Sequence, residues 1–600
     1  MASFPLIATT TTTTTTTVFY SSSSSTLSTM SPCPFFPITS KPFQTTKHSR
    51  HFKVSCKAIR GDQNPTPMSE NGETLPGKFD RRSVLLGLGG LYSAASLSSD
   101  MLAVADPVSP DFSNCHSPIL PPDPLKPTYC CPPKFPPGEK IIDFKLPQPP
   151  TSLRVRQPAH MVDDDYIATY SKAIELMKGL PDDDPRKFIQ QANVHCAYCN
   201  GAYDQNGHRG QKLEIHHSWL FFPWHRWYLY FFEKILGHLI DDPLFALPFW
   251  NWDSPDGMTI PSMYVNPQSS LYDKLRDVKH QPPRVIDLNY NGCDCDIPVK
   301  TQVDLNLSTM YRQMVSGTNS PLLFLGSPYR AGDGPNPGMG TLESKPHNNV
   351  HDWTGDRMQH NGEDMGSLYS AARDPIFMAH HSNIDRMWTI WEDLGGRRQN
   401  FTDPDWLNAS FIFYDENKQA VRVNVQDCLD YRQLGYGYMP VDIPWLKARP
   451  TPRRRNAGVG LANRVTGTTN VFPVTLDRVV KVLVRRPRKL RNTREKEEEE
   501  EVLVIQGIEF DADKFVKFDV YINEEDETES TPKNTEFAGS FTHVRHPSGH
   551  STKMVTQLRL GLNELLEELG AENDDTLLVT LVPRGESITT IGGIGIEFNS

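Results

Sequence analysis

The sequence predicts a mainly helical domain followed by an all-β domain of the sandwich type, and three observations carry that expectation. Histidines recur inside long aromatic and apolar segments of helical spacing, of which Leu213 to Leu236 (LEIHHSWLFFPWHRWYLYFFEKIL) is the most aromatic. Beyond residue 502 the chain changes to short β-rich runs separated by turns: Val502-Leu-Val-Ile505, Phe515 to Ile522, Phe541-Thr-His-Val544 and Leu577 to Val582. Between them, residues 447–501 carry an Arg cluster (Arg453-Arg-Arg455) and a charge run from Glu495 to Glu501, and read as a solvated linker in which only Val471 to Val484 alternates like a strand.

Taken in order, the chain opens with a targeting region. No Asp or Glu precedes Asp62, and a Thr run (Thr9 to Thr17) and a Ser run (Ser21 to Ser25) stand among scattered basic residues, so residues 1–80 read as an organelle transit peptide. Residues 81–105 place Arg81-Arg82 before a short apolar, Gly-rich run and end in Ala103-Val-Ala105, the pattern of a twin-arginine signal with its cleavage site. Two signals in series direct a chloroplast protein to the thylakoid lumen. No other segment has the length and apolarity of a membrane span. The formal net charge of −11 without a basic face argues against a nucleic-acid partner.

The main domain is expected over residues 106–446. It begins with a Pro-rich arm holding Cys115, Cys130 and Cys131, followed by Cys196 and Cys199. Extended Pro-rich chain lies on a domain surface and benefits from covalent ties, and a lumen that permits oxidation allows disulfides. The spacings do not form two CxxC pairs, which speaks against a zinc knot. Cys293, Cys295 and Cys428 have no assignment. The first helix is expected over Asp163 to Met177, with Ile167, Tyr170, Ala173, Ile174 and Met177 on its apolar face.

The histidines follow. His195 lies in Asn193-Val-His-Cys-Ala-Tyr-Cys199; His216, His217 and His225 lie in the aromatic stretch; His347 and His351 stand at i and i+4 after Pro346; His380 and His381 sit in the apolar helix Asp374 to Trp391. Taking one residue from each adjacent pair leaves two sets of three: His195, His216 or His217, His225; and His347, His351, His380 or His381. Two three-histidine sets on helices point to a two-metal centre. Imidazole ligation suits copper, zinc or iron alike, and the scarcity of carboxylates disfavours a di-iron bundle. Asp385, one turn beyond His381, is placed to hold a ligand's ring N–H.

These ordered motifs resemble the plant polyphenol oxidases (catechol oxidases and tyrosinases), a type-3 dicopper family, over essentially the whole chain. The resemblance implies a four-helix-bundle dicopper core and a C-terminal β-sandwich, residues 502–600, that shields it. It implies two copper ions, one held by His195, His216 and His225 and the other by His347, His351 and His381. It further implies a thioether between Cys199 and His216, and disulfides Cys115–Cys131 and Cys130–Cys196. Asp405-Trp-Leu407, Tyr436-Gly-Tyr438 with Arg156, and Lys517-Phe-Asp-Val520 match the family's remaining motifs. Glu343 matches its water-holding glutamate, Asn348 its partner in deprotonating phenol, and Leu368 a position above the first copper where a small side chain admits more substrate shapes. The implied reaction is oxidation of o-diphenols to o-quinones by dioxygen, with some ortho-hydroxylation of monophenols. The competing reading of the same ligand set is a reversible dioxygen carrier of the haemocyanin type. A two-zinc hydrolase would need carboxylates among the ligands.

Overall fold

A computed structural model describes residues 107–600 except 127, 134–139, 149–151, 454–471, 525, 527, 529, 547–552, 586 and 600. The two targeting segments and Arg454-Arg455 therefore lie outside the described residues. The described residues belong to one compact unit.

The helical part is assembled around α1 (Asp164–Gly179), α2 (Phe188–Cys199), α3 (Phe221–Leu239), α4 (Val299–Tyr311), α5 (Asn348–Thr354) and α6 (Ile376–Asp393). Local sequence accounts for several boundaries. Asp163 caps α1 by accepting from the Tyr166 N–H, and Tyr170, Ala173, Ile174 and Met177 are buried as their spacing requires. In α3, Pro223 falls in the first turn, where it breaks no helical bond, and nearly every residue is buried, as an aromatic helix apolar on all sides must be. Asp374 starts α6 by accepting from the Ile376 N–H (2.9 Å) while it pairs with Arg276. Pro346 precedes α5, with Lys345 in extended backbone before it and His347 at the N-cap, so α5 is shorter than the histidine pair alone suggested.

The arm behaves as its composition demands. Pro110–Cys115 adds a strand beside Tyr203–Gln205, and Cys115 is bonded to Cys131 and Cys130 to Cys196. Strands β1 (Arg154–Arg156) and β2 (Tyr436–Tyr438) pair in parallel, which puts the Arg156 guanidinium 4.0 Å over the Tyr436 ring and 3.0 Å from the Tyr438 hydroxyl.

The C-terminal part is a β-sandwich. One antiparallel sheet runs β3 (Val480–Arg485), β8 (Thr576–Pro583), β5 (Val516–Ile522), β6 (Phe537–His543). In the other, β4 (Glu500–Asp511) pairs with β7 (Lys553–Gly561) and β9 (Gly593–Asn599). Val482, Ile505, Phe518, Phe541, Leu560 and Val579, drawn from both sheets, share one core.

The strand-like stretch of the linker folds into the sandwich, and part of its charge run is buried. β3 lies within 447–501 and buries Val482 and Val484, so the sandwich takes strands from before residue 502. The charge run is solvated only over the helix Thr493–Glu498. Glu501 is buried against Arg486 (2.7 Å), and Glu500 accepts the Asn563 N–H (2.8 Å), with burial pushing its carboxyl up to about 7. Acidic runs read as solvent-facing unless a partner appears, and these partners are 15 and 63 residues away.

Candidate metal centre

Four helices and one turn deliver the histidines. α2 supplies His195, the turn before α3 supplies His216, α3 supplies His225, α5 and its N-cap supply His351 and His347, and α6 supplies His380 and His381. Ring centroids of His195, His216 and His225 stand 5.3 to 5.7 Å apart. His347 and His351 are 4.7 Å apart, and both lie 5.0 to 5.6 Å from His381. The two groups abut: His225 stacks on His381 at 4.1 Å and 9°. Phe377 wedges between them, 4.9 Å from His195 and 4.1 Å from His381.

His216 and His217 separate for reasons invisible in the sequence, whereas His380 and His381 both stay clustered with His347 and His351, the Nε2 of His380 also buried without a partner. His217 adopts a left-handed backbone (φ 57°), unusual for a non-glycine residue, and its N–H is held by Glu343 Oε1 at 2.7 Å. That turn sends His216 towards His195 and His225, while the His217 ring lies 5.5 Å from His543 of the sandwich. In α6, His380 Nδ1 accepts the Trp252 indole N–H (3.2 Å), whereas His381 Nε2 lies 3.4 Å from His351 Nε2. Two nitrogens about 2.0–2.1 Å from one ion at a tetrahedral angle would stand about 3.4 Å apart. Asp385 does not hold a histidine: its carboxylate takes Arg226 (2.6 Å), Arg156 (3.2 Å) and the Tyr436 and Tyr438 hydroxyls, because buried guanidinium groups on neighbouring elements outbid an imidazole.

The residues fit a metal. Both ring nitrogens of His195 and His216, and Nε2 of His225 and His347, are buried without a hydrogen-bond partner. Each such atom costs about 1–3 kcal/mol if left unpaired. Six imidazoles converging this way are explained by cations that accept their lone pairs. Second contacts aim the rings: His225 Nδ1 donates to the Phe221 carbonyl (2.8 Å) and His351 Nδ1 to that of Met365 (2.9 Å), directing Nε2 inward. Burial first, with neighbouring histidines adding, holds His195, His216, His347 and His381 well below the usual imidazole range. Burial likewise brings His225 down to about 3 and His351 to about 4. All are therefore neutral at pH 7, the state a metal requires.

The other expected residues are placed as follows. Cys199 is a buried free thiol, its Sγ within 4.8 Å of ring nitrogens of His195 and His216. Glu343 is buried with Oε2 unpaired, and burial raises its carboxyl well above the ordinary value. Asn348 is not free to work with Glu343: its Oδ1 takes the His347 Nδ1–H (2.9 Å) and its Nδ2 donates to the Thr542 carbonyl of the sandwich (2.7 Å). Leu368 is buried, its N–H donating to the Arg545 carbonyl (3.1 Å). His546 adds an ion pair to Glu214 at 3.1 Å, two residues before His216. Trp252, Phe377 and Met365 were missed by the sequence reading, since their role is to pack or orient and their residue types carry no signal.

Fold and site together define a class, the tyrosinase-type copper enzymes. Residues 185–394 match the common central domain of tyrosinase, 400–451 the polyphenol oxidase middle domain, and 472–598 the chloroplastic polyphenol oxidase C-terminal domain. The chain is 55% identical over 585 residues to a chloroplastic polyphenol oxidase of Malus domestica, covering 94% of this chain and 96% of that one. It is 55% identical over 525 residues to aureusidin synthase of Antirrhinum majus, covering 85% and 92%. A solved structure of latent apple tyrosinase superposes with a TM-score of 0.74 at 59% identity, covering 77% of this chain and all of that one. The chain belongs to the polyphenol oxidase family and is an enzyme; its relatives are named chloroplastic.

Proposed function

We propose that this enzyme oxidises o-diphenols to o-quinones with dioxygen, hydroxylates some monophenols, and works in the thylakoid lumen of the chloroplast. The carrying observation is the pair of facing three-imidazole sets with buried, unpartnered nitrogens. In this reading His195, His216 and His225 hold one copper and His347, His351 and His381 the other, and Cys199 is joined to His216 by a thioether. Bound copper supplies the redox couple for dioxygen and the Lewis acidity that draws in a phenolate.

The chain's own residues do the rest. Phe221 and Phe377 exclude water beside the imidazoles. The unpaired Oε2 of Glu343 is the acceptor for a water or a phenolic proton, and burial, which raises its carboxyl well above the ordinary range, strengthens it as a proton acceptor. Asn348 joins it only once Thr542 has moved away. Small Leu368 leaves room over the first copper, which supports monophenol entry. Withdrawal of the sandwich would release both Asn348 and Leu368, so the full chain is latent in this reading, with the sandwich as its shield. Tethering keeps that contact effectively intramolecular, at roughly millimolar local concentration.

Copper analysis with oxygen-electrode assays on catechol, dopamine and tyramine, before and after limited trypsin digestion, tests the reading. Two coppers per chain, catechol turnover and slower tyramine hydroxylation after a lag are expected. Reversible oxygen binding without turnover in both forms would establish a carrier instead. An unchanged rate per copper after loss of the sandwich would refute the shield.

A further inference from the structure

Among the described residues, the exposed free thiols are Cys293 and Cys295. Their sulfurs lie 3.1 Å apart, and both line a cavity of about 480 Å³ together with Lys279, Arg284, Tyr290 and Asp294. A small reagent can therefore reach them.

The loop carrying this pair is tied to the two parts of the molecule that the shield brings together. Asp294, between the cysteines, lies 2.8 Å from His280 Nε2 and accepts from the Tyr290 hydroxyl (3.3 Å) and Lys279 (3.4 Å). The His280 ring stacks on Trp353 at 4.4 Å and 6° and hydrogen-bonds to its carbonyl, two residues beyond His351. With its two nitrogens engaged in this way, His280 is not a free metal ligand, although Asp277, His280 and Asp294 cluster. From the other side, Lys517 of the sandwich donates to Asn289 Oδ1 (2.9 Å) and the Tyr290 carbonyl (3.2 Å), and Arg357 to the Gly292 carbonyl (2.6 Å).

We propose that Cys293 and Cys295 are a redox-active pair that closes to a disulfide by exchange with a small-molecule or protein disulfide, and that closure loosens the sandwich's hold on the loop Asn289 to Asp294. One cysteine thiolate attacks the reagent disulfide and expels one reagent thiolate. The second cysteine then displaces the other, so the protein loses two electrons and two protons and the reagent leaves as two thiols. A disulfide needs its sulfurs about 2.05 Å apart, roughly 1 Å closer than here, and with one residue between them the approach must turn the peptide at Asp294. That turn carries the Asp294 carboxylate away from His280 and Tyr290, and the carbonyls gripped by Lys517 move with the loop. The loosening rests on the shielding role proposed above; the thiol chemistry does not.

The test uses the full copper-loaded chain in glutathione buffers of graded ratio, read by peptide mass and thiol alkylation. The peptide holding both cysteines should lose two hydrogens and its alkylation in oxidised buffer and regain both in reduced buffer. Cys293→Ser and Cys295→Ser should each take up one glutathione instead. Amide exchange over 289–296 and 537–546 should accelerate about tenfold on oxidation, equivalent to one charge-assisted hydrogen bond, and not at all in the double Ser variant. The proposal is overturned if the pair stays alkylatable under conditions that glutathionylate the single variants, or if the disulfide forms and exchange is unchanged. If exchange responds but intact and trimmed enzyme turn over equally, the redox pair stands and the shielding role falls.

Discussion

Replacing Lys517 with methionine should partly unlatch the intact enzyme. The Lys517 side chain is fully buried, and its ammonium donates to the Asn289 carbonyl, to Asn289 Oδ1 and to the Tyr290 carbonyl across the contact with the helical domain. Methionine keeps the stem's volume, so little cavity arises. Of the acceptors left behind, Asn289 Oδ1 keeps Lys345 (2.9 Å) and the Tyr290 carbonyl keeps Asn349 (2.7 Å), while the Asn289 carbonyl loses Lys517. Asp519 keeps Arg584 (2.7 Å) and Ser540 (2.6 Å), so no buried charge is orphaned. The loss is then that of a charge-assisted hydrogen-bond set, about 2 kcal/mol, which raises the open-to-closed ratio about thirtyfold. Catechol oxidation per copper by the undigested chain, without detergent, should rise by up to that factor and level off at the rate of the trimmed enzyme. The reasoning is refuted if the intact variant matches the intact parent while trimming accelerates both, with thermal unfolding showing the variant folded.

Further outcomes follow from the site. His225→Ala and His381→Ala should each abolish catechol oxidation and lower bound copper while tryptophan fluorescence keeps its native spectrum; full turnover with both coppers bound would remove those residues from the ligand set. In the parent, digestion should yield a peptide in which Cys199 is cross-linked to His216, and Cys199→Ser should lose it; separate peptides from the copper-loaded parent would exclude the thioether. Asp385→Asn should cost about 3–5 kcal/mol, seen as a large fall in the melting temperature of the helical domain, because it leaves Arg226 and Arg156 short of a buried counter-charge. Burial pushes the Asp385 carboxyl up, but those two guanidinium groups outweigh it and hold it below the usual range. Its stabilisation is therefore present above about pH 4, the unfolded value, and lost as pH falls through the lower folded one, so parent and variant should converge in melting temperature under acid; parallel curves would contradict the assignment.

What the sequence by itself determined is local and periodic. Helical spacing from Phe221 to Leu236 and in Asp374 to Trp391 placed His225, His380 and His381 on buried helices, and alternation placed the sandwich strands. These signals survive in one dimension because a helix or strand repeats its burial pattern within a few residues. That His216, and not His217, turns towards His195 and His225 was decided only by tertiary structure, since it depends on a left-handed turn held by Glu343, 126 residues away. Asp385 was misread because Arg226 and Arg156, the partners that take its carboxylate, are distant in sequence. Glu500 and Glu501 looked solvated until Arg486 and Asn563 were brought against them. Asn348 and Leu368 carried recognisable positions, but their engagement by Thr542 and Arg545 exists only where the two domains meet. Polar groups are satisfied by whichever partner the fold brings within about 3 Å, and that distance is set by packing between elements rather than by neighbours along the chain.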